Sequence, residues 1–396
     1  ASHSKSFTAA AMLRLREQGR LKLDDAAGQY VDGLHPAIAA ATISQLLSHT
    51  AGILRDGPDS EYWAGRKEFL DAGQLRAELT LPPPIDANTR FKYSNHGFGL
   101  AGLVIEAVTG EPYNSWVARE IVARAGLEET APDVPLPSGK LASGHSSKTL
   151  LGRRVIFPGD QSTHALASAT GFISTAADLA RFYAQLAPTA RSRLLSPSSR
   201  REMTRPQWRD AYNPVERAYG LGTIHGAHGE PHGDWAWWGH SGGFQGYITQ
   251  TAHVPAHDLT LSMLTNAVDG WSHLWLDGAL SILKRFASEG APAASVADWS
   301  GRWWSGWGAI DLVPMGRKIL AASPALAQPF QKVPELTPTG PDTARITLAG
   351  GFASHGEPVS RQRDKRGRVT SVQLASGTFL PEAAAAKDLA VRYGEK

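Results

Sequence analysis

The chain has 396 residues, 42% of them hydrophobic, with 40 Lys and Arg set against 37 Asp and Glu and no cysteine at all. That length exceeds one typical domain and supplies ample core, so one large and one small domain is the expectation. The missing cysteines exclude disulfides, thiolate chemistry and Cys-based metal sites, and their absence fits either side of a membrane. A net charge of +3 is mild. No Lys/Arg block sits beside stacking aromatics, so nucleic acid is not the expected partner. No apolar run reaches bilayer-spanning length. Fourteen histidines form no His-x-x-x-His or His-Glu-x-x-His pattern, so neither a metal nor a cofactor is expected.

In chain order, Ser2-His3-Ser4-Lys5 opens an apolar helical pattern through Met12, Leu13 and Leu15, stopped by Gly19. Positions three apart share a helix face, which sets the Ser2 hydroxyl beside the Lys5 amine. A serine is a nucleophile only when a neighbour takes its proton, and a lysine kept partly neutral does that. Thr42 caps a helix that buries Leu46 and Leu47. His49, in the Ser-His-Thr-Ala-Gly turn that follows, reads as a structural histidine bonding that turn's backbone. The polar stretch 56–77, with Tyr62, Trp63 and Phe69, reads as a lobe over a cleft. Leu81-Pro82-Pro83-Pro84 is extended.

Tyr93-Ser94-Asn95 then precedes a helical run of Leu100, Leu103, Val104, Ile105 and Val108 that ends at Gly110. A second amphipathic helix is expected from Pro112 to about Ala125. Residues 131–160 read as irregular. Lys148-Thr149 is followed there by Leu150 rather than glycine. Next come a turn at Gly171 and a helix capped by Ser174 or Thr175. Tyr219–Ile224, Trp237–Gly243, Gly246–His253 and Leu259–Thr265 read as successive antiparallel strands, and Trp271–Phe286 as a helix. The organisation expected is a large domain over 1–286, a linker over 287–298 and a small β-rich domain, a sheet or partial barrel, over 299–396. In that last part Trp303, Trp304 and Trp307 read as core or packing aromatics more than as a binding face.

Ser2-x-x-Lys5, Tyr93-x-Asn95 and His240-Ser241-Gly242 fall in the order of the three motifs of serine β-lactamases and penicillin-binding proteins. The connecting segments Thr42–Ile53, Phe91–Gly110, His164–Phe182, Tyr219–Gly222 and Leu264–Asn266 also resemble that family, in its class C β-lactamase, D-aminopeptidase and family VIII esterase branches. The resemblance covers Ser2 to Phe286. It implies an α+β class, a β-lactamase-like α/β sandwich with an antiparallel sheet flanked by helices, followed by a small C-terminal β domain. Relatives carry a helix and the first sheet strands before the nucleophile helix. The expectation is therefore an upstream segment, cleaved before Ala1 and retained as a second chain. Ala1 rather than serine at the terminus argues against an acyl shift through Ser2.

By the same resemblance Ser2 is the nucleophile and Lys5 its deprotonating partner. Tyr93 relays a proton between Ser2 and the leaving group, with Lys5 and a protonated His240 stabilising its phenolate. Which of Lys5 and Tyr93 is the acylation base stays open. Backbone N–H groups of Ser2 and Gly243 form the oxyanion hole, beside Ser241 and Gly242, whose glycine-rich strand lets backbone approach substrate. Asn95 bonds the substrate carbonyl or fixes Lys5. Histidine at 240, where relatives often carry lysine, weakens the case for a carboxylate-bearing substrate. It favours esters, amides or peptides, small-molecule or peptidic, in an apolar pocket drawing on Trp63, Trp237, Trp238, Phe244 and Tyr247. The alternatives are a penicillin-binding protein or weak β-lactamase with slow turnover and, last, a non-catalytic binding protein of the same fold. The compartment is open between an exported or periplasmic setting and a cytoplasmic one.

Overall fold

A computed structural model describes the chain except for residues 137–140, 149–151, 212–216, 228–234, 331–332, 350–353, 376 and 395–396. The Lys148-Thr149-Leu150 sequence therefore lies partly outside the described residues. The chain divides into two compact units, Ala1–Leu276 and Asp277–Lys396.

The first unit is built around helix α1, Ser4–Glu17. Its apolar pattern alone would place it at a surface with one wet face, but its polar side chains are buried too. Ser4, Lys5, Ser6 and Thr8 are all fully inaccessible. Burial without partners would cost several kcal/mol per group, so each polar side chain is satisfied. Ser6 Oγ donates to the Gly222 carbonyl at 2.6 Å and meets the Tyr183 hydroxyl at 2.7 Å. Thr8 Oγ1 donates to the Ser168 carbonyl at 2.6 Å and meets Tyr113 at 2.7 Å. On the apolar side Phe7 stacks between Phe172 and Phe182.

The helices that follow obey their local signals. After the short α2 (Pro36–Ala39), Thr42 and Gln45 close a capping box on α3, Ile43–Leu47. Asp71 and Gln74 do the same for α4, Ala72–Glu78. Helix α5, Asn95–Thr109, starts directly from the Tyr93 loop, capped by Ser94, and ends at Gly110 in the left-handed region. Helix α6, Tyr113–Val117, runs on as a wider π turn through Ala123. A second such turn, Ala167–Gly171, carries backbone carbonyls into the interior. Thr175, not Ser174, caps α7, Ala176–Leu186. Helix α8 is Pro197–Met203.

A two-stranded ladder, β1 (Gly144–His145) with β2 (Ile156–Phe157), interrupts the stretch expected to be irregular. The main sheet is antiparallel and six-stranded in sequential order. It consists of β3 (Trp208–Arg209), β4 (Ala218–Tyr219), β5 (Ile224–Ala227), β6 (Ala236–Phe244), β7 (Tyr247–Val254) and β8 (Leu259–Thr265). Tyr219–Ile224 is not one strand, as expected, but the turn between β4 and β5. Gly222 there has φ +64°, and a Cβ on it would lie 2.5 Å from the Lys5 carbonyl. Only glycine allows that approach.

Helix α9, Ser272–Glu289, contains the division between the units, and it extends past the expected Phe286. Among the described residues the second unit has eight antiparallel strands in sequential order. They are β9 (Gly301–Ser305), β10 (Gly308–Met315), β11 (Lys318–Ala322), β12 (Glu335–Gly340), β13 (Thr343–Leu348), β14 (Pro358–Arg363), β15 (Val369–Leu374) and β16 (Gly377–Phe379). Trp304 and Leu380 exchange both backbone hydrogen bonds at 2.8 Å, closing β16 back onto β9 as a barrel. Helix α10 is Glu382–Tyr393. Trp299 and Trp303 belong to the core with Leu336, Ile346 and Val372, whereas Trp307 stands fully exposed at the β9–β10 tip.

Candidate active site

The first turn of α1, the loop before α5 and the edge of β6 bring most of the expected residues to one place. Lys5 Nζ lies 3.2 Å from Ser2 Oγ, 2.7 Å from Asn95 Oδ1 and 2.8 Å from the Ala169 carbonyl. No ion pair joins Lys5 to a carboxylate among the described residues. Burial therefore drives its pKa well below that of a free lysine; Asp56 opposes the shift and Arg55 adds to it. A neutral amine has two N–H donors and one lone pair. Asn95 Oδ1 and the Ala169 carbonyl are both acceptors and take the two donors. In that neutral form the lone pair faces the Ser2 hydroxyl.

Tyr93 completes the group. Its ring lies 4.7 Å from Lys5 Nζ and is packed by His49 at 4.2 Å. Burial pushes its phenol up to about 12, with its hydrogen bond to Ser2 and the nearby Arg55 working the other way. Burial thus moves the amine's pKa down and the phenol's up, so the two neighbours are pushed apart in titration.

His240 does not provide the expected cation. It is buried, with Nδ1 donating to the Ser241 carbonyl at 2.7 Å and Nε2 accepting from the Tyr219 hydroxyl at 2.8 Å. Burial, reinforced by Lys5, lowers its pKa to about 3. A protonated His240 beside a Tyr93 phenolate is therefore corrected to a neutral imidazole, held from both sides within the protein.

Asn95 resolves between its two expected roles. Its Oδ1 holds Lys5 and its Nδ2 donates to Asp56 Oδ1 at 2.5 Å, so both ends of the amide are engaged by the protein. Ser241 is half-buried and Gly243 is exposed on β6. Gly242 brings that strand against the nucleophile: a Cβ there would sit 3.2 Å from the Ser2 nitrogen and 2.5 Å from Thr249 Oγ1. Gly242→Ala is expected to push β6 outward and lower turnover by about 10²-fold, the usual cost of misplacing a site by roughly 1 Å. Steady-state kinetics with circular dichroism as a folding control checks this.

Asp56 and Ala169 had no recognisable signal, and Tyr219 and His49 were not read as partners of the site residues. Asp56 lay in the stretch read as a lobe, yet it bonds Asn95 and accepts from Trp63 Nε1 at 2.9 Å. Ala169 acts through its backbone. Tyr219 faces His240. His49 Nδ1 accepts from the Ser94 backbone at 3.1 Å rather than from its own turn, which locks the Tyr93 loop. Of the aromatics expected to line a pocket, Trp238 is buried in the core, and Trp63 and Phe244 pack with Phe69. A cavity of about 730 Å³ borders Ala1 and His3, on either side of Ser2, together with Phe172 and two of the expected aromatics, Phe244 and Tyr247.

A serine beside a buried lysine and a buried tyrosine, on helices packed against an antiparallel sheet, fits the class of serine hydrolases. Residues 1–274 match the Beta-lactamase family, and the chain belongs to it. Protein flp of Staphylococcus aureus (strain COL) is 33% identical over 145 residues, covering 33% of this chain and 28% of that protein. Penicillin-binding protein 4* of Bacillus subtilis (strain 168) is 29% identical over 140 residues, covering 33% and 29%. These matches span less than a third of each curated relative. Among solved structures, a D-stereospecific amidohydrolase from Streptomyces sp. is 28% identical with a TM-score of 0.57, over 67% of this chain and 81% of that one. The octameric penicillin-binding protein homologue from Pyrococcus abyssi shares the fold over 96% of this chain and 87% of its own, with TM-score 0.62 and 21% identity.

Proposed function

We propose that the chain cleaves an ester, amide or peptide bond through an acyl-enzyme on Ser2. The observation that carries this reading is the fully buried Lys5 amine, 3.2 Å from Ser2 Oγ and held by Asn95 Oδ1 and the Ala169 carbonyl. In acylation Ser2 Oγ forms a bond to the substrate carbonyl carbon while its proton moves to Lys5 Nζ. Backbone N–H groups of Ser2 and Gly243 stabilise the oxyanion. As the carbonyl re-forms, the bond to the leaving group breaks. Tyr93 gives that group its phenolic proton and is re-protonated from the Lys5 ammonium. Water then releases the acyl group by the reverse path.

The substrate class argued for lacks an obligatory terminal carboxylate, because His240 is neutral where a permanent cation would be needed to hold one. The likeness to a D-stereospecific amidohydrolase makes D-amino-acid amides the first compounds to try.

The test is intact mass after exposure to a fluorophosphonate, with a panel of p-nitrophenyl esters, D- and L-amino-acid anilides and nitrocefin. The expected result is one adduct, absent from Ser2→Ala, with turnover of esters or anilides. No adduct and no turnover would sink the reading. A penicillin adduct that persists on Ser2 would assign a slow-turnover penicillin-binding protein instead. The processing expectation is checked by the mass of denatured native material: a single longer polypeptide rules out cleavage before Ala1.

A further inference from the structure

The site contains an ionisable group that the reaction does not consume. Asp56 directly follows the exposed Arg55, and among the described residues no contact joins its carboxylate to Ser2, Lys5 or Tyr93. Its oxygens are nonetheless fully committed. Oδ1 accepts from Asn95 Nδ2 at 2.5 Å and from Trp63 Nε1 at 2.9 Å, and Oδ2 meets Arg55 Nε at 2.9 Å. Its backbone carbonyl accepts from the Tyr62 hydroxyl at 2.6 Å.

We infer that Asp56 is a positioning residue that sets which end of the Asn95 amide faces Lys5. The inference rests on the serine-hydrolase reading above. An asparagine side chain is nearly symmetric in shape, so packing alone leaves it free to sit either way round. The two orientations are opposite in consequence for the base. With Oδ1 toward Lys5, the amide consumes an amine N–H and leaves the lone pair for Ser2. With Nδ2 toward Lys5, the amide donates into that lone pair and competes with the serine proton.

An ionised carboxylate is an acceptor only, and so it demands the Nδ2 end of Asn95. The indole N–H of Trp63 is a donor only and reaches the same oxygen, which fixes that oxygen as acceptor independently of Asn95. Directionality thus runs from Trp63 to Asp56 to Asn95 to Lys5, each bond dictating the sense of the next. Reversal of Asn95 would bring Oδ1 against the carboxylate, two acceptors about 2.5 Å apart. That repulsion is the device holding the amide in place.

This assignment separates two variants that a merely structural role would not. In Asp56→Asn the indole of Trp63 still requires an oxygen at the Oδ1 position. That oxygen still accepts from Asn95, and the new NH2 faces the solvent-exposed Arg55. In Asp56→Ala nothing dictates the orientation of Asn95.

The experiment is stopped-flow acylation of the full chain by a p-nitrophenyl ester, resolving the binding constant from the acylation rate constant, with thermal melts as the folding control. The expected result is a 10- to 100-fold lower acylation rate constant in Asp56→Ala with the binding constant unchanged, and an Asp56→Asn rate within about threefold of the parent. An Asp56→Ala protein that is folded and acylates at the parent rate overturns the inference. So does an Asp56→Asn protein that falls as far as the alanine variant, since charge rather than orientation would then be responsible. If the parent chain itself takes no adduct on Ser2, the hydrolase reading fails, and this inference fails with it. Parent acylation with unaffected variants overturns the inference alone.

Discussion

Lys5→Met is expected to lower acylation of Ser2 by about 10²- to 10⁴-fold, the range that general-base catalysis supplies. Methionine keeps the length and fills the buried space, so the loss reports the missing base more than a cavity. The pH dependence of the parent carries the same assignment. Base catalysis needs the free amine, so the rate rises with pH through the Lys5 pKa. Burial holds that pKa well below 10.5, so the rise is complete at a lower pH than an exposed lysine allows. Tyr93 acts as a proton donor and, with its phenol pushed up to about 12, imposes no alkaline fall below about pH 11. His240, at about 3, contributes no step near the ordinary histidine value of 6.5. Acylation rates of the parent, Lys5→Met and His240→Gln between about pH 5 and about pH 10 check all three statements. A step near 6.5 that vanishes in His240→Gln would show that the imidazole is charged in the working enzyme.

The Ala1–Leu276 unit is expected to lose stability steeply as the pH falls below 6.5. His3, His49 and His240 are all held below that value, chiefly by burial. Their surroundings leave no room for a counter-charge. His3 meets Thr251 Oγ1 and Thr249 Oγ1, and His49 is enclosed by Phe91, Tyr93, Phe98 and Tyr219. In the unfolded chain each imidazole takes up a proton at 6.5; in the folded chain it does not. Stability is therefore fully present above 6.5 and is lost as the pH drops toward the folded values. Each neutral buried histidine contributes a slope of about 1.4 kcal/mol per pH unit. Three together approach about 4 kcal/mol per unit, a large fraction of the 5–15 kcal/mol that stabilises a typical domain. His225 and His253 are lowered as well and act in the same sense. Calorimetric Tm values at about pH 7.5, 6 and 5 should fall progressively, and His240→Gln should flatten the fall by about a third. A Tm independent of pH over that range would mean that these histidines are accessible to protons in the folded state.

Much of the fold was legible because it is locally encoded. Thr42 is the expected cap with an accepting side chain, and Gly110 ends its helix in the left-handed region. The alternating segments after Trp237 became strands. The turn at Gly220–Thr223 was missed because its glycines serve an approach to Lys5 that is remote in sequence. Within the site, Ser2 and Lys5 were readable from helical spacing, and Tyr93 and Asn95 from a motif on one loop. Asp56 was not readable, since a carboxylate in a polar stretch looks the same whether it faces water or an amide. Ala169 contributes only a carbonyl, and a carbonyl has no letter in a sequence.

The sequence alone determined which groups are present and which of them sit side by side along one helix or one loop. The absence of cysteine, the Ser2–Lys5 spacing and the histidine at 240 are facts of that kind. Charge state belonged to the tertiary structure. The Lys5 pKa is lowered because the first turns of α1 are buried and its acceptors Asn95 and Ala169 are neutral, and His240 is uncharged because Tyr219 and the Ser241 carbonyl enclose it. Proton affinity depends on desolvation and on the partners within a few ångströms, and those are set only when distant segments pack together.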